Sequence, residues 1–228
     1  MSEIRDLVEI SKYAGERFDL VQAGGGNSSV KFENGEMLIK ASGFLLSDVN
    51  VNSGYSRVFT QKIASIVKDE NIVNEKDKRT RESLTSTLVK DATIDTKNRP
   101  SIETLLHKYT LHTHPIVVNM ITIQKNYKEI LKGIFKDEKI AFVKYQTPGI
   151  ELALALDDEL TKFDEIPNII FLQNHGLIIT SSYKKDIKKL TEYVLEKIEN
   201  YFKIDMSRYK LSNEITYLLN NIEKNSNI

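Results

Sequence analysis

Short β-branched or alternating apolar runs take turns with longer stretches of helical periodicity along this chain, and that alternation restricts it to the α/β class. Ile4, Leu7, Val8, Ile10 and Ala14 have helical spacing across residues 3–18, with Ser2 as a cap. Val30–Phe32 and Met37–Lys40 read as strands around Glu33-Asn34-Gly35-Glu36, because Asn-Gly between apolar runs is a strong hairpin signal. Residues 61–92 read as helix in two pieces, separated by the charged stretch Asp69–Arg81, whose mixed signs mark a solvated loop. Ser101 is placed to cap a helix carrying Ile102, Leu105, Leu106 and Tyr109. Leu111–His114 reads as extended, and Pro115 opens the next helix, where its missing N–H does no harm. Helices at 126–136 and 150–162 enclose a strand at 139–145. Asn168–Leu172 and Leu177–Thr180 form a hairpin pattern around Gln173-Asn174-His175-Gly176. Amphipathic helices at 184–204 and 211–223 complete the pattern. With no internal repeat and no break in composition, residues 1–228 read as a single α/β domain.

Composition narrows the function classes. The chain has 228 residues, enough for a full core without a disulfide or structural metal. Lys plus Arg and Asp plus Glu both number 32, so no net field draws the chain to nucleic acid or an anionic membrane, and neither partner is expected. The same neutrality leaves little self-repulsion to keep copies apart. No apolar run approaches the roughly 18 residues a membrane helix needs. The start Met-Ser-Glu-Ile-Arg-Asp lacks a basic region followed by an apolar one, so a soluble cytoplasmic protein is expected. Without cysteine there is no thiol nucleophile, and a metal must be held by histidine, carboxylate or water. No Gly-x-Ser-x-Gly elbow is present either.

Four histidines occur, at 107, 112, 114 and 175. On a strand, residues two apart face one side, so His112 and His114 can reach a common point, whereas on a helix they would diverge. The plainer reading is a pair of packing histidines at a strand end. His175, beside Gly176, reads alone as a turn residue bonding backbone. Together, three imidazoles with one open position make the donor set of a catalytic zinc. Glu103 near a helix start suits the helix dipole, and beside a metal it would be a ligand or general base. His107, four residues on and on the same helix face, reads as packing or as a support for that site. Gly24-Gly25-Gly26-Asn27-Ser28-Ser29 could cradle a phosphate on backbone N–H groups, or be a plain turn; it fits neither the P-loop nor the dinucleotide spacing.

Five segments in order resemble the class II aldolase/adducin family: Gly24-Gly25-Gly26-Asn27-Ser28-Ser29-Val30-Lys31, Leu38-Ile39-Lys40-Ala41-Ser42-Gly43, Pro100-Ser101-Ile102-Glu103, His112-Thr113-His114-Pro115 and Asn174-His175-Gly176-Leu177. The resemblance spans about residues 5–200, leaving 205–228 as a helical tail, and looks closest to the aldolase half of rhamnulose-phosphate aldolase/dehydrogenase fusions; no dehydrogenase half is expected within the 228 residues. It implies a single domain with a central, largely antiparallel sheet between helical layers, assembled as a homotetramer with sites at subunit interfaces. It implies one Zn2+ per chain on His112, His114 and His175, with Glu103 as the catalytic carboxylate and Tyr145 as an active-site tyrosine near the aldehyde pocket. Asn27, Ser28, Ser42, Gly43 and Ser101 fall at positions that hold the substrate phosphate. The implied activity is aldol cleavage or formation in a phosphorylated ketose. A sugar-phosphate 4-epimerase of the same fold and a non-catalytic adducin-like module are the alternatives. Two departures stand out. Ile102 replaces the second serine of the family's frequent Pro-Ser-Ser-Glu, and only eight residues separate Glu103 from His112, fewer than in relatives.

Overall fold

Asn34-Gly35 does turn the chain. Gly35 takes φ +84°, and the flanking strands β1 (Asn27–Lys31) and β2 (Glu36–Lys40) pair antiparallel with Val30 opposite Leu38. These come from a computed structural model, which describes residues 2–94, 106–210, 215, 218 and 219. The helix before the hairpin, α1, runs Ser2–Gly15 and buries Leu7, Ile10 and Ala14. A third strand, β3 (Tyr55–Phe59), pairs with β2 at the sheet edge. Its inward residues are only Ser56 and Val58, so its apolar alternation is too weak to read from sequence.

The chain then forms α2 (Thr60–Ile66), α3 (Glu70–Val73) and α4 (Lys78–Ala92). The charged stretch expected to be a loop is therefore partly helical. Asp69 and Asp77 each act as an N-cap, accepting from the backbone N–H of Asn71 and of Thr80. An Asp at the cap satisfies an orphan helix donor, so a charged run can still start a helix. The remaining elements are β4 (Tyr109–Thr113), α5 (Ile116–Thr122), α6 (Tyr127–Ile134), β5 (Ile140–Val143), α7 (Ile150–Leu160), β6 (Ile169–Leu172), β7 (Gly176–Ser181) and α8 (Lys184–Phe202). Pro115 is the N-cap of α5, next to its expected place.

Tyr109 corrects one expectation. It begins β4, paired with Val30 and Ser181, and does not end a helix. Pairing on both sides satisfies its backbone, which overrides the helical spacing it shares with Leu105 and Leu106. Residues 95–105, including Ser101, Ile102 and Glu103, lie outside the described residues. Of the expected 211–223 helix, residues 215, 218 and 219 are helical, and the others lie outside the described residues.

Among the described residues the sheet has seven strands in the order β3-β2-β1-β4-β7-β6-β5, antiparallel throughout except for the β5–β6 pair. Successive residues face opposite sides. Val30, Leu38, Leu111, Phe171 and Ile179 pack against α1, α5, α6 and α8 in one core. Met37 and Ile39 meet α2, α4 and α7, and Ile170, Leu172 and Ile178 meet α7, in two smaller cores on the other face. The result is one domain, a sheet between two helical layers, as expected.

Candidate metal centre

Register places the site. In β4, His112 lies directly opposite Asn27 of β1 on one side and Ile178 of β7 on the other. Residues directly opposite share a face, so His112 and Asn27 are side by side, on the face that Ile178 gives to the second layer. Asn27 is buried, and its Oδ1 accepts from the Ser28 N–H at 2.9 Å. Continuing the β1–β2 register sets Ala41 opposite Asn27, so the turn after β2 lies at the same end of the sheet.

His175 arrives from the other hairpin. Leu172 pairs with Gly176, so residues 173–175 form the loop, and Asn174 takes φ +49° at its centre. A side chain that tolerates the left-handed region suits that position. The His175 N–H donates to Leu172 O at 3.2 Å, and the Asn174 N–H to Thr122 O at 3.1 Å.

The three rings meet. Their centroids are 4.9, 4.9 and 5.0 Å apart, and one ligand nitrogen from each lies within 4.8 Å of the others. His112 Nε2 and His114 Nε2 approach to 2.9 Å. Two nitrogens on a tetrahedral zinc would be about 3.3 Å apart for bonds near 2.05 Å. The cluster thus fits one ion. Its protonation fits too. Burial, and then the like charge of His175, push His112 down to about 3, so its imidazole is neutral and offers a lone pair at neutral pH. Three imidazole donors with no thiolate suit zinc well.

Glycines make the close approach, a role that spacing in the sequence did not reveal. A Cβ on Gly25 would lie 2.6 Å from His114 Nδ1, and one on Gly176 would lie 2.2 Å from Thr113 O. Gly26, at φ +77°, would meet His112 O at 2.9 Å. The glycine run is therefore packed against the histidines.

Other candidate residues divide. The Ala41–Phe44 turn is closed by the Phe44 N–H on Ala41 O, with Ser42 exposed and Gly43 at φ +87°. The buried Lys40 ammonium steadies that turn by donating to Phe44 O at 2.7 Å. Tyr145 is half exposed in the loop after β5, and its N–H donates to the Gln173 side chain beside the His175 turn. Ser28 faces the other layer. Its Oγ lies 2.7 Å from Ser11 Oγ, which itself donates to Leu7 O, so Ser28 is bound to α1 and turned from the histidines. His107 packs elsewhere, with Nε2 3.1 Å from Ile166 O. Glu103 and Ser101 lie outside the described residues.

Residues 5–202 match the family model described as "Class II Aldolase and Adducin N-terminal domain". The chain is 25% identical over 222 residues to a Bacillus subtilis (strain 168) protein, "Uncharacterized oxidoreductase YuxG", covering 91% of this chain and 31% of that protein. It therefore spans about a third of that relative's length. Among solved structures it resembles the N-terminal class II aldolase domain of a conserved protein from Thermoplasma acidophilum, with TM-score 0.72 and 22% identity over 88% of this chain and 93% of that one. A sugar-phosphate aldolase from Thermotoga maritima gives TM-score 0.53 and 14% identity, over 86% and 94%.

Proposed function

The chain belongs to the class II aldolase/adducin family, and from that membership we propose that it is a zinc-dependent aldehyde-lyase acting on a phosphorylated ketose. The observation that carries this reading is the cluster of His112, His114 and His175 beside Asn27. The reading includes one zinc per chain, a single functional domain over residues 1–228, a cytoplasmic setting and a homotetramer.

When bound, zinc supplies Lewis acidity toward the ketose carbonyl and its neighbouring hydroxyl. His112, His114 and His175 would hold it. Asn27, Ser42, Gly43 and Ser101 bind the phosphate, the glycine offering its backbone N–H and the serines their hydroxyls. The Ser28 hydroxyl is engaged with Ser11, on the face turned from the histidines. Glu103 returns a proton to the carbon left electron-rich when the bond breaks. Tyr145 exchanges the proton of the hydroxyl that becomes the aldehyde.

Cleavage is favoured over 4-epimerisation by the identity of residue 103. Family epimerases carry Asp where the aldolases carry Glu. The missing methylene withdraws the carboxylate by roughly 1.5 Å on backbone-like bond lengths. An epimerase must keep both fragments and rejoin them, so a donor that reaches the carbon works against it. The adducin-like module is the second reading, favoured by the eight residues between Glu103 and His112. Zinc-loaded protein incubated with a panel of ketose 1-phosphates, with dihydroxyacetone phosphate trapped by a coupled reductase, tests the set. Triose phosphate release is expected. A 4-epimer without triose phosphate reverses the ranking, and silence across the panel with zinc bound favours the module.

A further inference from the structure

The three histidines are not held alike. His112 sits inside the ladder between β1 and β7, and the His175 turn is closed by its own hairpin and by Thr122. His114 lies one residue beyond β4 and directly before Pro115, which has no N–H to give. Its main chain is held from the connection between α1 and β1. The His114 N–H donates to Leu20 O at 2.8 Å, and the Ile116 N–H donates to Asp19 O at 3.1 Å. The same connection reaches the His114 ring, because a Cβ on Gly25 would lie 2.6 Å from its Nδ1.

That connection is neither helix nor paired strand, yet it is tied down by charge. Arg17 grips Asp19 with two prongs, Nε to Oδ1 at 3.1 Å and Nη2 to Oδ2 at 2.7 Å. Arg17 Nη1 donates to Tyr13 Oη on α1 at 3.1 Å and to Glu192 on α8. Tyr13 Oη in turn donates to Glu192 at 2.7 Å. Asp19 is 4% exposed and the Arg17 side chain 16%. Burying such a pair is costly, and specificity of geometry is its best-attested return.

We propose that Arg17 and Asp19, anchored on Tyr13 and Glu192, are positioning residues that hold His114 against the other two histidines. The inference rests on the three-histidine metal reading. Leu20, whose carbonyl holds His114, follows Asp19 directly, so a shift of the gripped carboxylate moves that carbonyl. Groups that orient a metal ligand typically matter by 10–100-fold in affinity.

The test uses the full chain, with zinc alone as the probe in competition with a chelator. Arg17→Met is expected to weaken zinc binding by about 10–100-fold. Arg17→Lys keeps the charge but not the two-pronged grip, and is expected to fall between Arg17→Met and wild type. The control is Arg81→Met. It breaks an ion pair to Glu151 whose arginine is as shielded as Arg17 but which touches neither this connection nor the His114 backbone. Arg81→Met should lower Tm comparably while zinc affinity stays within about threefold. With cobalt in place of zinc, the visible absorption bands should shift in Arg17→Lys and match wild type in Arg81→Met. Unchanged zinc affinity and cobalt bands in the Arg17 variants overturn the inference, as does equal weakening in Arg81→Met. If Arg17→Met does not fold, Arg17→Lys and Glu192→Gln make the same comparison. Wild type that takes up no zinc overturns the metal reading and the inference together. Tight wild-type binding with Arg17→Lys unchanged overturns the inference alone.

Discussion

At the residue scale, binding and chemistry separate by side chain. His175→Ala removes one of three donors, leaving a two-imidazole site too poor to retain zinc. The expected outcome is loss of metal by elemental analysis of the purified protein, with the same loss for His112→Ala and His114→Ala. Retention of full metal content in all three variants would show that the cluster is only packing. Glu103→Gln is expected to behave in the opposite way. An amide cannot take or return a proton, so turnover should fall by about 10²–10⁴ while most of the zinc stays. Near-normal turnover would leave Glu103 as a helix-dipole residue.

At the scale of elements, the glycines govern how closely the two hairpins approach the histidines. Gly176→Ala would set a methyl 2.2 Å from the Thr113 carbonyl, a backbone atom that cannot rotate away. Overpacking of that kind costs about 1–3 kcal/mol, so Tm should drop by several degrees and zinc affinity should fall with it, because His114 Cδ2 lies 3.0 Å from the same point. Thermal melts with and without zinc read both effects, and an unchanged difference between them would separate this glycine from the metal. The sequence announced the hairpins well, because Asn34-Gly35 and the 173–176 turn are local chemistry. Its two-residue spacing also allowed His112 and His114 to reach a common point, although His114 lies one residue beyond β4. It could not show Asn27 beside His112 or Ser28 turned toward Ser11, since both depend on the register between β1 and β4. Nor could it show why the glycine run is there. The atoms that exclude a side chain at Gly25 belong to His114, far along the chain. β3 and the caps at Asp69 and Asp77 were missed for the converse reason, their apolar signal being weak and their polar signal strong.

At the scale of the whole molecule, the proposed tetramer bears on what the fold leaves uncovered near the site. α5 is followed at once by Ile123, which is 63% exposed, and Met120 on the same helix is 38% exposed. This helix end touches the His175 turn through the Thr122 carbonyl. Phe18, 57% exposed, lies in the connection that holds His114. Single exposed apolar residues need no explanation, but apolar residues on two segments that both hold the candidate metal ligands suit burial against another copy. The neutral chain offers no net repulsion to such contact. Closed symmetry is the usual outcome for identical chains, and the tetramer proposed above would bury these segments in it. Light scattering at micromolar concentration should therefore give four times the 26.1 kDa chain mass. Ile123→Lys, which sets a charge on an exposed position and costs the monomer little, should lower that mass and reduce aldol cleavage together while the isolated chain keeps its helical signal. If the mass stays fourfold, α5 lies outside the interface. If the wild-type chain runs as a monomer with full activity, each site is complete within one copy and no neighbour's residue enters the chemistry.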